Sequence, residues 1–78
     1  MVIEYSPKFL RLWKKLPNEI KDLAEEKIRI FQDDPFDPRL KTHKLTGQLR
    51  KYWVFWIKYK YRIIFSFLNE KIARFHVV

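Results

Sequence analysis

Apolar residues recur at helical spacing in the first half of the chain and at alternating spacing in the second. Phe9, Leu12, Trp13 and Leu16 fall at i, i+3, i+4 and i+7, one face of a helix, with Lys8, Arg11, Lys14 and Lys15 off that stripe. Ser6-Pro7 supplies the start: a serine side chain satisfies a free first-turn N–H, and proline at the next position loses no hydrogen bond. Pro17 ends the helix, because the residue before a proline avoids the α region. Asn18 is expected to cap a second helix, whose stripe is Ile20, Leu23, Ala24, Ile28 and Phe31. Glu25 and Arg29 face each other at i, i+4 on its polar side. So tight a joint makes the two helices an antiparallel hairpin.

Asp33-Asp34-Pro35-Phe36-Asp37-Pro38 cannot continue a helix and reads as loop. A basic segment follows, ending at Gly47, the only glycine. A lone glycine points to positive φ, a close approach or a plain turn. Beyond Leu49, β-branched and aromatic residues dominate, and strands are expected at Tyr52–Lys58, Tyr61–Leu68 and Lys71–Val78. Their short connections make them antiparallel. Val2–Tyr5 alternates weakly and is a short first strand. The order βααβββ predicts a single α+β domain over residues 1–78. The helix hairpin packs on one face of a small antiparallel sheet through Phe9, Trp13, Leu16, Leu23 and Ile28, against Ile63, Phe65 and Phe75. The other face stays open. Period two puts Arg62, Ile64 and Ser66 opposite Tyr61, Ile63 and Phe65, and groups Arg74 with His76. In the preceding strand Val54, Trp56 and Lys58 alternate with Trp53, Phe55 and Ile57, and alternation leaves open which set faces outward.

Charge sharpens this picture. The net charge is +8. Residues 1–37 hold seven Lys/Arg and eight Asp/Glu, whereas residues 38–78 hold ten Lys/Arg and only Glu70 as an acid. Nine of the fourteen aromatics lie in that basic half. A surface of one sign repels itself, so a polyanion is a natural partner and a basic protein kept soluble by its charge is the plain alternative. Arginine and lysine hold phosphates and aromatic rings stack unpaired bases, which suits RNA. There is no cysteine, hence no disulfide or thiolate metal site, and a reducing cytoplasmic setting is expected. The N-terminus lacks a signal-peptide pattern and no apolar run suffices for a membrane span.

His43 and His76, with no cysteine and no nearby carboxylates, are not expected to make a metal site, and no cofactor motif is present. No Ser-His-Asp or Cys-His set is available. The remaining chemistry rests on His, Lys, Arg and Tyr, which fit phosphodiester cleavage: cations stabilise the extra charge of the transition state while another group moves protons. Attack by the 2′-hydroxyl of RNA itself needs no metal.

The ordered set Phe9-Leu-x-Leu-Trp-Lys-Lys-Leu-Pro17, Asp34-Pro-Phe36, His43-Lys-Leu-Thr-Gly47 and Tyr59-x-Tyr-Arg-Ile-Ile-Phe65 resembles the RelE/ParE superfamily, toxins of type II toxin–antitoxin modules, and most of all its YafQ- and RelE-like branch. The resemblance spans nearly the whole chain. It implies a RelE-like fold and a metal-independent, ribosome-dependent mRNA endoribonuclease that inhibits translation, with the ribosome, mRNA and a cognate antitoxin as partners. Arg62 matches the family's arginine at the scissile phosphate, against a plain pairing with Glu70 or simple solvation, and His43 matches the catalytic histidine of the YafQ-like branch, against a plain loop histidine. Lys41 and Lys44 lie in the stretch that meets RNA in relatives. Arg50, Lys51, Lys58, Lys60 and Arg74 complete the candidate RNA contacts. Two departures stand out. Trp56 occupies a customary arginine position, and the sequence to Val78 lacks the family's Gly-x-His and near-terminal aromatic. The second departure implies impaired cleavage or an antitoxin-binding remnant. The ParE branch, which inhibits DNA gyrase, is the other alternative.

Overall fold

The computed structural model describes residues 1–47 and 51–78. Strand β1 (Val2–Tyr5) leads into helices α1 (Pro7–Lys14) and α2 (Asn18–Asp33), then a 3-10 turn at Pro38–Leu40. Strands β2 (His43–Lys44), β3 (Trp53–Lys58), β4 (Tyr61–Phe67) and β5 (Ile72–Val77) follow. The strands form one sheet in the order β1-β5-β4-β3-β2.

Local chemistry explains the helix boundaries. The Ser6 hydroxyl accepts from the Phe9 N–H at 3.0 Å and Pro7 is the first helical residue. α2 differs from expectation at its start. Pro17, with φ −57° and ψ 147°, occupies the cap position, Asn18 is already helical, and no side chain caps this end. Extended backbone is what proline allows here, and its carbonyl still accepts from the Lys21 N–H at 3.0 Å.

The core lies between the helices and one sheet face. Phe9, Ile20, Ala24 and Phe31 from the helices meet Phe55, Ile57, Ile63, Phe65, Ala73 and Phe75, with Leu40 sealing one end. Trp13, Leu16, Leu23 and Ile28 pack around it as expected. Phe31 sits at the centre, its ring 5.1, 4.9 and 5.2 Å from those of Phe55, Phe65 and Phe75.

The sheet is mixed where an antiparallel one was expected. β2 to β5 pair antiparallel in succession, but β1 runs parallel to β5, with Glu4 opposite Arg74. The two-residue β2 adds a strand that alternation did not reveal. Two register shifts matter for the site. Between Trp56 and Lys58 one extra residue, Ile57, enters β3, so Lys58 pairs with Tyr61. Between Ile64 and Phe65 the partner strand carries an extra His76. A bulge re-aims the side chains that follow it. Gly47 takes φ +70°, and among the described residues a Cβ there would meet nothing within 4 Å. Its need is therefore backbone conformation, not a close approach. Among the described residues no helix is long and apolar enough to cross a membrane.

Candidate nucleic-acid interface

Directly paired residues in antiparallel strands share a face. His43, Val54 and Ile64 therefore form one row across β2, β3 and β4, and Trp56 and Arg62 form the next. These rows lie on the face the helices leave uncovered. Val54 is 3% exposed yet stands outside the helix-side core. With Leu45, Ile64 and Val78 it makes the apolar floor of a shallow hollow rimmed by His43, Lys60, Tyr61 and Arg62. A continuous second hollow is lined by Lys41, His43, Val54, Phe55, Trp56 and Arg62. No acidic residue lines either one.

Arg62 is exposed, and among the described residues its guanidinium enters no ion pair. The alternative pairing with Glu70 does not form. The acids that do pair lie elsewhere: Asp37 with Arg39 at 2.9 Å, Glu19 with Lys58 at 3.6 Å and Glu4 with Arg74 at 3.1 Å. His43 is exposed, and its Nδ1 lies 3.0 Å from the Lys41 carbonyl. With Nδ1–H donating to that oxygen, Nε2 carries the lone pair and is the proton acceptor. Lys41 adopts φ 53°, a left-handed conformation that costs a residue with a Cβ about 1–2 kcal/mol. Its ammonium is held 4.7 Å from the Trp56 ring centroid.

The other expected cations divide. Lys60 joins Arg62 on the rim of the first hollow. Lys44 belongs to the helix-side row, opposite Trp53, with its Nζ 5.9 Å from that ring. The bulge at Ile57 likewise moves Lys58 out of the set expected with Val54 and Trp56 and turns it toward Glu19 of α2. Arg74 stays on the open face but is tied to Glu4 of β1. Lys51 is exposed, with its Nζ 5.3 Å from the Tyr52 ring. Arg50 lies outside the described residues.

One constellation escaped the sequence reading. His76, displaced by the bulge, brings Nε2 within 2.7 Å of the Ser66 hydroxyl, and the Tyr52 ring stands edge-on at 5.2 Å. His76 and Tyr52 line a third hollow with Ser6, Lys8, Leu45, Ile64, Arg74 and Val77. Burial, helped by the charges of Arg74 and Lys51, holds the His76 imidazole below its ordinary pKa and favours the neutral ring. Alternation already placed Ser66 and His76 on one kind of face, but their contact depends on the β4–β5 register.

No protein-family model matches the chain, and no curated protein does. Solved structures do. The Staphylococcus aureus toxin YoeB, in a heterotetrameric complex with the antitoxin YefM, gives a TM-score of 0.79 at 15% identity, covering 99% of this chain and 92% of that one. A YoeB/ParE toxin from Agrobacterium tumefaciens gives 0.77 at 16%, covering 96% and 92%. YafQ from E. coli gives 0.72 at 24%, covering 96% and 87%. YafQ is also solved bound to DinJ in a toxin–antitoxin complex. The fold that the sequence resemblance implied is therefore the fold this chain has, that of the solved YoeB and YafQ toxins.

Proposed function

We propose that this protein is the toxin of a type II toxin–antitoxin module and that it cleaves mRNA at the hollow around Arg62. The observation that carries this reading is an exposed arginine without an acidic partner among the described residues, next to a histidine with a free ring nitrogen, in a site whose lining has no acid. A fork of N–H donors left unpaired on a basic face suits a phosphodiester, whose two non-bridging oxygens it can hold together.

The chemistry needs no metal. The 2′-hydroxyl preceding the scissile bond attacks the phosphorus, the 5′-oxygen leaves and takes a proton from water, and a 2′,3′-cyclic phosphate remains. His43 Nε2 takes the 2′-hydroxyl proton. Arg62, with Lys41 and Lys60 beside it, offsets the charge that grows on the phosphoryl oxygens. Ribosome dependence fits a site this open. A translating ribosome supplies both a fixed mRNA and a second surface. A cognate antitoxin is expected as partner, since YoeB and YafQ are each solved with one.

Expression without an antitoxin tests the reading. Growth arrest with cuts confined to translated mRNA, both abolished by Arg62→Ala, is the expected result. Arrest through an SOS response and gyrase-linked DNA breaks would replace cleavage with a gyrase target. Healthy cells containing folded protein would leave an antitoxin-binding remnant.

A further inference from the structure

The three tryptophans are used differently. Trp13 and Trp53 pack against the core, whereas Trp56 belongs to neither the buried cluster nor the side chains around it. Trp56 is half-buried on the open face, directly opposite Arg62, and lines the hollow that Arg62 and His43 share. Its indole N–H donates to the Tyr59 carbonyl at 3.2 Å, which orients the ring. Two ammonium groups stand near it, Lys41 Nζ at 4.7 Å and Lys27 Nζ at 5.5 Å from the centroid.

A large ring that is pre-oriented and not employed in the core invites a planar ligand. We infer that Trp56 is a stacking platform for the unpaired nucleobase adjoining the phosphate held at Arg62. This deepens the RNA-cleavage reading and rests on it. The lysines do not stand in the way. An ammonium over an exposed ring is worth a factor of roughly 2 to 5 in an equilibrium, whereas stacking one base is worth roughly 5- to 150-fold. A base arriving on the ring displaces the weaker contact, and the released ammonium is then placed for a backbone phosphate. Lys41 thus moves from ring to phosphate without leaving the hollow. Stacking accepts any base, since each has a π face, so the subsite positions a nucleotide and reads no sequence.

The test is a cycle between protein and probe. The probe is a short fluorescein-labelled single-stranded oligonucleotide with 2′-deoxy sugars, which blocks cleavage, and a single abasic position is walked along it. Anisotropy at fixed salt gives the affinities. In the wild-type protein one abasic position should weaken binding by about 5- to 150-fold. In Trp56→Ala that position should cost nothing further, while Trp56→Phe should keep most of the effect. An abasic loss that persists in Trp56→Ala, or no sensitive position in the wild-type protein, would overturn the stacking site even if binding still depends on Arg62. Binding that ignores Arg62→Ala would instead overturn the RNA-cleavage reading and the platform with it, and no binding at all would overturn the platform. Should Trp56→Ala fold poorly, Trp56→Leu, which fills the position without a π face, takes its place in the comparison with the wild-type walk.

Discussion

Arg62 and Arg74 stand on neighbouring strands of the same open face, and the structure predicts opposite responses to their removal. Arg62→Ala deletes no ion pair among the described residues, so stability should change by no more than about 0.5 kcal/mol, the range of an unengaged surface site. Arg74→Ala deletes the 3.1 Å contact to Glu4, which joins the outer strand β1 to β5. Both partners are substantially exposed, at 36% and 46%, so the pair contributes about 0.2–1 kcal/mol. Activity should reverse the order. Losing one charged contact to the transition state costs about 100- to 1,000-fold in rate. That loss belongs to Arg62, with Arg62→Lys intermediate because it keeps the charge and loses the fork. Arg74 is already neutralised by Glu4, so its removal should slow cleavage far less. Urea denaturation and single-turnover cleavage on programmed ribosomes read the two quantities separately. An Arg62→Ala variant less stable than Arg74→Ala, or equal rate losses in the two, would refute the reasoning and make Arg62 structural.

Phe31→Ala empties the centre of the ring cluster at a cost of about 3–5 kcal/mol. A chain of 78 residues has only about 4–12 kcal/mol in total, so its thermal transition should fall sharply or lose cooperativity, and a shift of only a degree or two would contradict the placement of Phe31. Tyr59 turns the β3–β4 connection at φ 54° with its side chain 70% exposed. Tyr59→Gly should relieve about 1–2 kcal/mol of left-handed strain, less about 0.5–1 kcal/mol of added chain entropy, and so raise the melting temperature modestly. A lower one would show that the Lys58 ammonium 4.9 Å from the Tyr59 ring outweighs the strain. His76 predicts a pH dependence. Its imidazolium is disfavoured in the fold, first by burial and then by Arg74 and Lys51, so the unfolded chain takes up the proton first. Stability is therefore full above about pH 6.5 and declines as pH falls from there through the lower folded value, a step that His76→Gln should abolish. Asp37, held at about 2 chiefly by the Arg39 hydrogen bond, acts only below about pH 3.8 and leaves that window clear.

The helices, their apolar stripes and the three long strands were legible because each is written in local periodicity. What escaped depends on partners distant in the chain. β1 lies parallel to β5 through residues 70 positions away, as in Glu4 and Arg74, and no local pattern carries that direction. β2 is two residues long, too short to alternate. Lys58 was misplaced because one extra residue reverses every later side chain in a strand. The bulge keeps Ile57 at 1% exposure and lets Tyr61 pack on the core, and Lys58 follows the register that these set. Arg62, His43 and Lys41 were legible as motif residues. Their convergence was not, since it requires the Val54 register with β2 and the Trp56 register with β4 together.

Positive charge can sit inside the most aromatic stretch of the chain because β4 serves two surfaces. Ile63 and Phe65 point to the helices and are fully buried, while Arg62 between its neighbours Tyr61 and Ile63 points the other way into water. No desolvation is imposed on the guanidinium, so it needs no counter-ion to fold. The same division separates the two kinds of mutation. Changes in the helix-side core should alter stability, and changes around Arg62 should alter what the face binds. Among the described residues the acids that pair with cations bind Arg39, Lys58 and Arg74, and these pairs lie outside the hollows of Arg62. Introducing an acid there is then the sharpest way to separate the surfaces. Val54 is too buried for it, but Lys60 is exposed beside Arg62. Lys60→Glu should leave the melting temperature nearly unchanged and abolish cleavage, because the new carboxylate both occupies the guanidinium and repels the phosphate. Retained cleavage in Lys60→Glu would mean that the reacting phosphate does not approach from this side of the sheet.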